Sequence, residues 1–285
     1  MTEMLADAQK RRYAVPAFDI SNYEMLRAVL DTCEEERSPA LLMGLGPDLI
    51  GRGMRVLAGM VSAASEIYSI PVCFHLDHAG DMNLIRKAAE AGFSSVMFDG
   101  SVLPFNENIA RTLETVRFAH ERGLTVEAEL GHVGNAMTGN EADSVKNENP
   151  DDTLTDPEEA ARFIDITNAD ALAVAIGTAH GVYKKTPSLR IDRLDAIAAA
   201  CNCPLVLHGG SGTPDEQIQT AIAHGVTKIN IYSDLVTAMN DGLKQKLNQI
   251  ENPAAWPVYI FERARENMRR VVREKIRVFG SGGKA

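Results

Sequence analysis

Short apolar or β-branched runs recur along the chain, and each is followed by a longer stretch with helical periodicity; this alternation constrains the fold more than any single motif. The runs are 14–19 (AVPAFD), 40–44 (ALLMG), 71–77 (PVCFHLD), 95–99 (SVMFD), 125–130 (TVEAEL), 171–176 (ALAVAI), 204–208 (PLVLH) and 228–232 (KINIY). Between them, 106–122 carries Ile109, Leu113, Val116 and Ala119 at spacings of three and four on a charged background, the pattern of a surface helix. Thr155-Asp156-Pro157-Glu158-Glu159 and Thr213-Pro214-Asp215-Glu216 each offer a cap, a proline and early acids, and predict helix starts. Eight strand–helix units in 285 residues predict a closed (β/α)8 TIM barrel, one domain over 1–285. A doubly wound open sheet would usually place a Gly-x-Gly-x-x-Gly turn after its first strand. Here that strand runs into Phe18-Asp19-Ile20-Ser21-Asn22, without a glycine. Beyond the eighth strand lie two more helical stretches, 234–249 and 261–278. The last exceeds the needs of the barrel and is expected to cover a neighbouring subunit.

Composition narrows the partners. A hydrophobic fraction of 45% supports one large core. A net charge of -10 repels nucleic acid and anionic membranes, so neither is expected as a partner, and any bound phosphate must be attracted by local backbone dipoles. Cys33, Cys73, Cys201 and Cys203 are few and scattered in apolar surroundings, which predicts reduced thiols in a cytoplasmic protein. Cys201-Asn-Cys203 could form half a metal site, but no second pair accompanies it, and a core role is expected. The N-terminus lacks the basic and apolar regions of a signal peptide, and no apolar run approaches the roughly 20 residues of a membrane span. The polar stretch 134–153 is expected to be a mobile loop after the fifth strand, of the kind that often acts as a lid.

In such barrels the chemistry collects at the carboxyl ends of the strands. Those ends carry Asp19, Asp77 with His78, Asp99, Glu129, His180, His208 and Asn230, and the opposite ends carry nothing comparable. His78, His180 and His208 follow three different strands and could converge on a divalent metal, most simply Zn2+, with one position left open. His132 is a rival ligand. His75 sits deeper in its strand, and His120 and His224 fall on helices. Asp99 and Glu129 are expected either to orient the histidines or to form a second metal position. Asp77 should point differently from His78, because successive strand residues alternate, which would leave it free to handle a proton close to the metal without being a ligand. Its alternative role is a structural acceptor for His75.

Two glycine-rich turns complete the pattern. His208-Gly209-Gly210-Ser211-Gly212 follows the seventh strand, and Asn230-Ile231-Tyr232-Ser233 follows the eighth and opens a helix. Barrels often bind phosphate there, using close backbone approach and the amides of a helix start. Gly181, after His180, offers another close approach.

The stretches HLDH (75–78), GFSSVMFDGSVLPFNENI (92–109), VEAELGHVG (126–134), TDPEEA (155–160), DALAVAIGTAHGVYK (170–184), PLVLHGGSG (204–212), KINIYSDL (228–235) and FGSGGKA (279–285) together resemble the class II, metal-dependent ketose-bisphosphate aldolases, over nearly the whole chain. The resemblance implies zinc on His78, His180 and His208, Asp77 as catalytic acid/base, and Asn230 as a stabiliser of the enediolate. It implies binding of a dihydroxyacetone phosphate unit by Gly181, Lys184, Gly209, Gly210, Ser211, Asn230, Ile231, Tyr232 and Ser233. It implies Glu129 near the metal, a monovalent cation (Na+ or K+) near the phosphate loops, and a homodimer or homotetramer. The expected reaction is reversible cleavage of a ketose 1,6-bisphosphate, of fructose or tagatose type, to dihydroxyacetone phosphate and glyceraldehyde 3-phosphate.

Three departures from the family leave alternatives open. Gly134-Asn135-Ala136-Met137 replaces a glycine pair followed by acids, so Glu141 is only a candidate proton shuttle. Phe18-Asp19 stands where Phe-Asn is frequent. Ala255-Trp256-Pro257-Val258-Tyr259 stands where an arginine usually grips a far phosphate, leaving Arg263 or Arg265 as substitutes. The alternatives are the same chemistry on a ketose 1-phosphate with an unphosphorylated aldehyde half, and a non-catalytic sugar-phosphate-binding or partner subunit. A metal hydrolase would usually begin with His-x-His on its first strand, and this chain has no histidine before His75.

Overall fold

The computed structural model describes residues 1–135, 153–181, 183, 186–252 and 254–285. The eight predicted runs form eight parallel strands: β1 (Val15–Asp19), β2 (Ala40–Gly44), β3 (Val72–Ala79), β4 (Ser95–Phe98), β5 (Thr125–Leu130), β7 (Ala171–Val174), β9 (Leu205–Leu207) and β10 (Val226–Ile231). They close in the order β1-β10-β9-β7-β5-β4-β3-β2, with helices between them, so the chain is a (β/α)8 TIM barrel. Two further strands, β6 (Gly134–Asn135) and β8 (Ala179–His180), pair with each other beyond the barrel. No helix among the described residues is long and apolar enough to cross a membrane.

Two apolar cores follow from the closed sheet. The outer one fills the space between strands and helices. The inner one, with Val15, Ala17, Leu41, Met43, Cys73, Ala171, Ala173 and Val206, lies inside the barrel. A helix that the sequence reading passed over, α1 (Thr2–Arg11), closes this core from the amino end of the strands, with Leu5 and Ala8 fully buried. The bottom is thereby sealed, and the polar mouth lies at the other end.

Side-chain caps mark three of the helix starts among the described residues. Asn22 caps α2 (Tyr23–Glu36) by accepting from Met25 N, and Asp81 caps α4 (Met82–Ala91). α6 (Pro157–Thr167) starts at the predicted Thr-Asp-Pro stretch, and Asp156 supplies the cap. The Thr155 hydroxyl donates to Leu130 O and accepts from Ala175 N, tying two strand ends together. Thr213 does not cap α8 (Asp215–Ala223); it donates to Gly209 O.

The last long helix, α11 (Glu262–Phe279), packs on its own barrel. Its apolar stripe of Ala264, Met268, Val272, Ile276 and Phe279 is buried in its own chain, packed against α2 and against α9 (Ser233–Leu247). Its other side forms ion pairs with α2: Arg265 with Glu24 at 2.7 Å, and Arg273 with Glu35 and Glu36 at 2.8 Å each. The helix completes the barrel wall, because a closed ring needs its first and last helices bridged. At Gly242 of α9, a β-carbon would stand 2.5 Å from the Ala264 backbone. Gly242→Ala is therefore expected to cost about 1–3 kcal/mol by forcing the two helices apart; urea denaturation measures it.

Candidate active site

β3 carries Asp77 and His78 to the mouth by breaking strict alternation. The register against β4 slips between Leu76 and Ala79, a bulge, and His78 has φ of +47°. A non-glycine residue in the left-handed region stores backbone strain of about 1–3 kcal/mol, and such strain gathers at functional sites. The consequence is that Asp77 Oδ2 and His78 Nε2 lie 4.0 Å apart, in one cluster.

His78, His180 and His208 do converge. Their ring centroids are 4.7 to 5.7 Å apart, and one ring nitrogen of each lies within 4.8 Å of the others. The pairing of β6 with β8 holds His180 from one side. Gly209, at φ of +67°, lets the turn after β9 approach Ala179, where a side chain would strike the carbonyl oxygen. The Tyr183 hydroxyl joins the same two segments, accepting from Ala179 N at 2.8 Å and donating to Gly209 O at 2.9 Å.

The nitrogens left over fit a metal. His78 bonds Asp99 Oδ2 through Nδ1 at 2.8 Å, and His208 bonds Glu127 Oε1 through Nε2 at 2.9 Å. That leaves His78 Nε2, His180 Nε2 and His208 Nδ1, all buried and all without a hydrogen-bond partner. Three orphaned imidazole nitrogens with carboxylates behind two of them are a donor set suited to zinc. His78, Asp99 and Glu129 form a second group of possible ligands. Asp99 is already engaged with His78, and Glu129 Oε2 is 3.3 Å from His208 Nδ1. His132 joins neither group; its Nδ1 is 3.5 Å from the Ser101 hydroxyl, which donates to Asp99.

Beneath this layer lies a cluster that the sequence reading missed. Glu127 and Lys228 are fully buried and pair at 2.8 Å, and the other oxygen of Glu127 holds His208. His75 bonds Ser95 through Nδ1 at 2.8 Å, with its Nε2 3.7 Å from Glu127. Asp77 is not the acceptor for His75; it accepts from Asn230 Nδ2 at 3.1 Å. The signal was present as period-two spacing: His75 with Asp77, Glu127 with Glu129 and Lys228 with Asn230 each place two polar residues on one strand face.

Electrostatics sort the roles. Burial raises the Asp77 carboxyl, but the charges of His78, His208 and Lys228 outweigh it and leave the group below its ordinary value, ionised and able to accept a proton. Burial and then the neighbouring Asp77 push Asp19 well above the ordinary carboxyl value. Burial works against charge on all three histidines. For His180 it prevails, with His208 and His78 adding to it, and the ring is held at about 3, neutral. For His78, Asp77 and Asp99 overcome burial and raise it to about 10; for His208, Glu127 and Glu129 do so and raise it to about 9.

The phosphate candidates are partly gathered. A cleft is lined by Asp19, Asp77, His180 and Asn230, and by Gly181, Gly209, Ser211, Tyr232 and Ser233. Ser211 Oγ accepts from the Tyr232 and Asp234 amides, joining the two turns at the start of α9. Gly210 packs under the turn, where a β-carbon would strike Ile229. The Ile231 side chain is fully buried in the outer core, so only its backbone is available. Lys184 and Glu141 lie outside the described residues. Cys201 and Cys203 are buried and join no metal-binding group among the described residues.

The fold and this cluster define a class: a barrel enzyme with three histidines disposed for a divalent metal beside an ionised carboxylate and a glycine-rich turn. The chain belongs to the class-II fructose-bisphosphate aldolase family, whose model matches residues 1–284, and it is accordingly an aldol lyase. The YdjI aldolase from Escherichia coli K12 superposes with a TM-score of 0.87 at 34% identity, over 100% of this chain and 98% of that one. A candidate fructose-1,6-bisphosphate aldolase from Coccidioides immitis superposes with a TM-score of 0.86 at 30% identity, over 99% and 96%. The fructose-bisphosphate aldolase from Campylobacter jejuni shares the fold, with a TM-score of 0.81 at 24% identity over 99% and 94%.

Two outcomes are expected. Lys228→Met should destabilise the metal-free protein by about 3–5 kcal/mol, because it leaves Glu127 buried and unpaired; the double variant with Glu127→Gln should regain much of the loss in the same urea titration. Second, His78 and His208 hold protons at neutral pH and must surrender them to act as ligands. Zinc affinity should therefore rise with pH through the neutral range and level off only above about 10. Calorimetry in buffers of different ionisation enthalpy should register at least one proton released per ion.

Proposed function

We propose that the protein is a zinc-dependent aldolase that cleaves a ketose 1-phosphate, and forms it in reverse, with dihydroxyacetone phosphate as the constant half. The observation that carries this reading is the convergence of three unpartnered imidazole nitrogens beside the ionised Asp77. The family acts on small phosphorylated sugars, and the fructose and tagatose 1,6-bisphosphates are the substrates first suggested by the sequence.

His78, His180 and His208 would hold the zinc ion, which supplies Lewis-acid stabilisation of negative charge on the substrate's oxygens. The protein's own residues do the rest. Asp77 accepts the proton of the C4 hydroxyl as the C3–C4 bond breaks. The aldehyde departs, and the bonding pair remains with the dihydroxyacetone phosphate half as an enediolate. Asn230 orients Asp77 through its Nδ2 and leaves its own Oδ1 unpartnered in the cleft. The phosphate is met by the Gly209–Ser211 turn and the start of α9, which has no side-chain cap of its own. In the condensation direction Asp77 returns its proton to the new alkoxide.

A paired experiment tests the assignments. His208→Ala should lose zinc on dialysis and lose cleavage with it. Asp77→Ala should retain zinc, measured by metal analysis, while turnover falls by at least two to three orders of magnitude. An active zinc-free protein would refute the ligand set, and near-normal rates in Asp77→Ala would remove that residue from the reaction.

A further inference from the structure

We propose, resting on the aldolase reading above, that the aldehyde half of the substrate is uncharged and hydroxyl-bearing rather than phosphorylated, and that Asp19 selects it.

Asp19 ends β1 and is 4% exposed, yet its Oδ1 has no hydrogen-bond partner. The side chain lines the same cleft as Asp77, His180, Asn230 and Tyr232. A buried polar atom normally finds a partner, and one that lacks it beside a binding cleft is placed for a ligand. A carboxyl group suits a hydroxyl, which donates and accepts in one small group.

The wall around Asp19 is acidic. Burial, and then the charges of Asp19 and Asp48, raise the Tyr232 phenol. Asp48 is anchored by the Ser21 hydroxyl at 3.0 Å, and Asp77 completes the set within the cleft. No arginine or lysine lines this cleft among the described residues. Of the two arginines that could have held a far phosphate, Arg265 is committed to Glu24 at 2.7 Å. Arg263 makes only an exposed pair with Glu266 at 3.0 Å, whereas Lys228 beneath the cleft is committed to Glu127 at 2.8 Å. The glycine turn and the start of α9 serve one phosphate; the described cleft residues around Asp19 offer no cation to a second.

The test uses the zinc-loaded enzyme with dihydroxyacetone phosphate and two matched pairs of acceptors: glyceraldehyde against glyceraldehyde 3-phosphate, and erythrose against erythrose 4-phosphate. The wild type should show a kcat/KM at least tenfold higher for the unphosphorylated member of each pair. Asp19→Asn should shrink that ratio at least tenfold, while the KM for dihydroxyacetone phosphate stays within twofold, since the other half of the substrate is untouched. A general structural fault would move both. A wild type that prefers the phosphorylated acceptors overturns the proposal, as does an unchanged ratio in a folded, zinc-binding Asp19→Asn. If that variant does not fold, the wild-type ratio alone decides. Zinc-loaded wild type that condenses none of the four acceptors refutes the aldolase reading itself, an outcome distinct from a reversed preference.

Discussion

Glu127 bonds Lys228 with one carboxylate oxygen and His208 with the other, and all three side chains are fully buried. The upper, reactive layer depends on this arrangement. An imidazole free to spin could not present Nδ1 reliably, and a buried carboxylate without a cation would not stay ionised. Lys228 holds the charge on Glu127, Glu127 holds the ring of His208, and the barrel wall holds Lys228. Two residues beyond His75, Glu127 and Lys228 come Asp77, Glu129 and Asn230, so the polar interior is built in layers of period two. Below them the interior is apolar and closed by α1.

What converges above those layers comes from departures from regular structure. The bulge and the positive φ at His78 turn an alternating pair into two neighbours. The β6–β8 pairing, the glycine at 209 and the Tyr183 hydroxyl draw the segments bearing His180 and His208 together. Each is a local deformation that the rigid hydrogen-bonded barrel can absorb, which is why such sites gather at strand ends rather than in strand centres. The same rigidity keeps Asp19 beside Asp77, two carboxyls that would separate if the wall could yield.

Much of this was legible beforehand. The eight apolar runs became the eight barrel strands, because a run of that composition can be buried in few other ways. The three histidines could be singled out because each follows its own strand. Other features were hidden for definite reasons. Lys228 begins the run KINIY and reads as the charged edge of a strand; only closure of the barrel shows it facing Glu127 across the interior. Thr155 and Thr213 open stretches that read as helix starts, yet the tertiary structure spends their hydroxyls on strand ends and turns. The final helix read as surplus, since nothing in its own residues says that its apolar stripe meets α2 and α9.

By itself, the order of residues determined the strand–helix alternation, the family and the inventory of polar groups at the mouth, because these depend on short-range periodicity and on residue chemistry. Only the tertiary structure decided which nitrogens are left without partners, which arginines are already committed and which carboxyl faces the cleft unbonded. Those are properties of pairs of atoms far apart in the chain, and no local pattern encodes a distance that barrel closure alone creates.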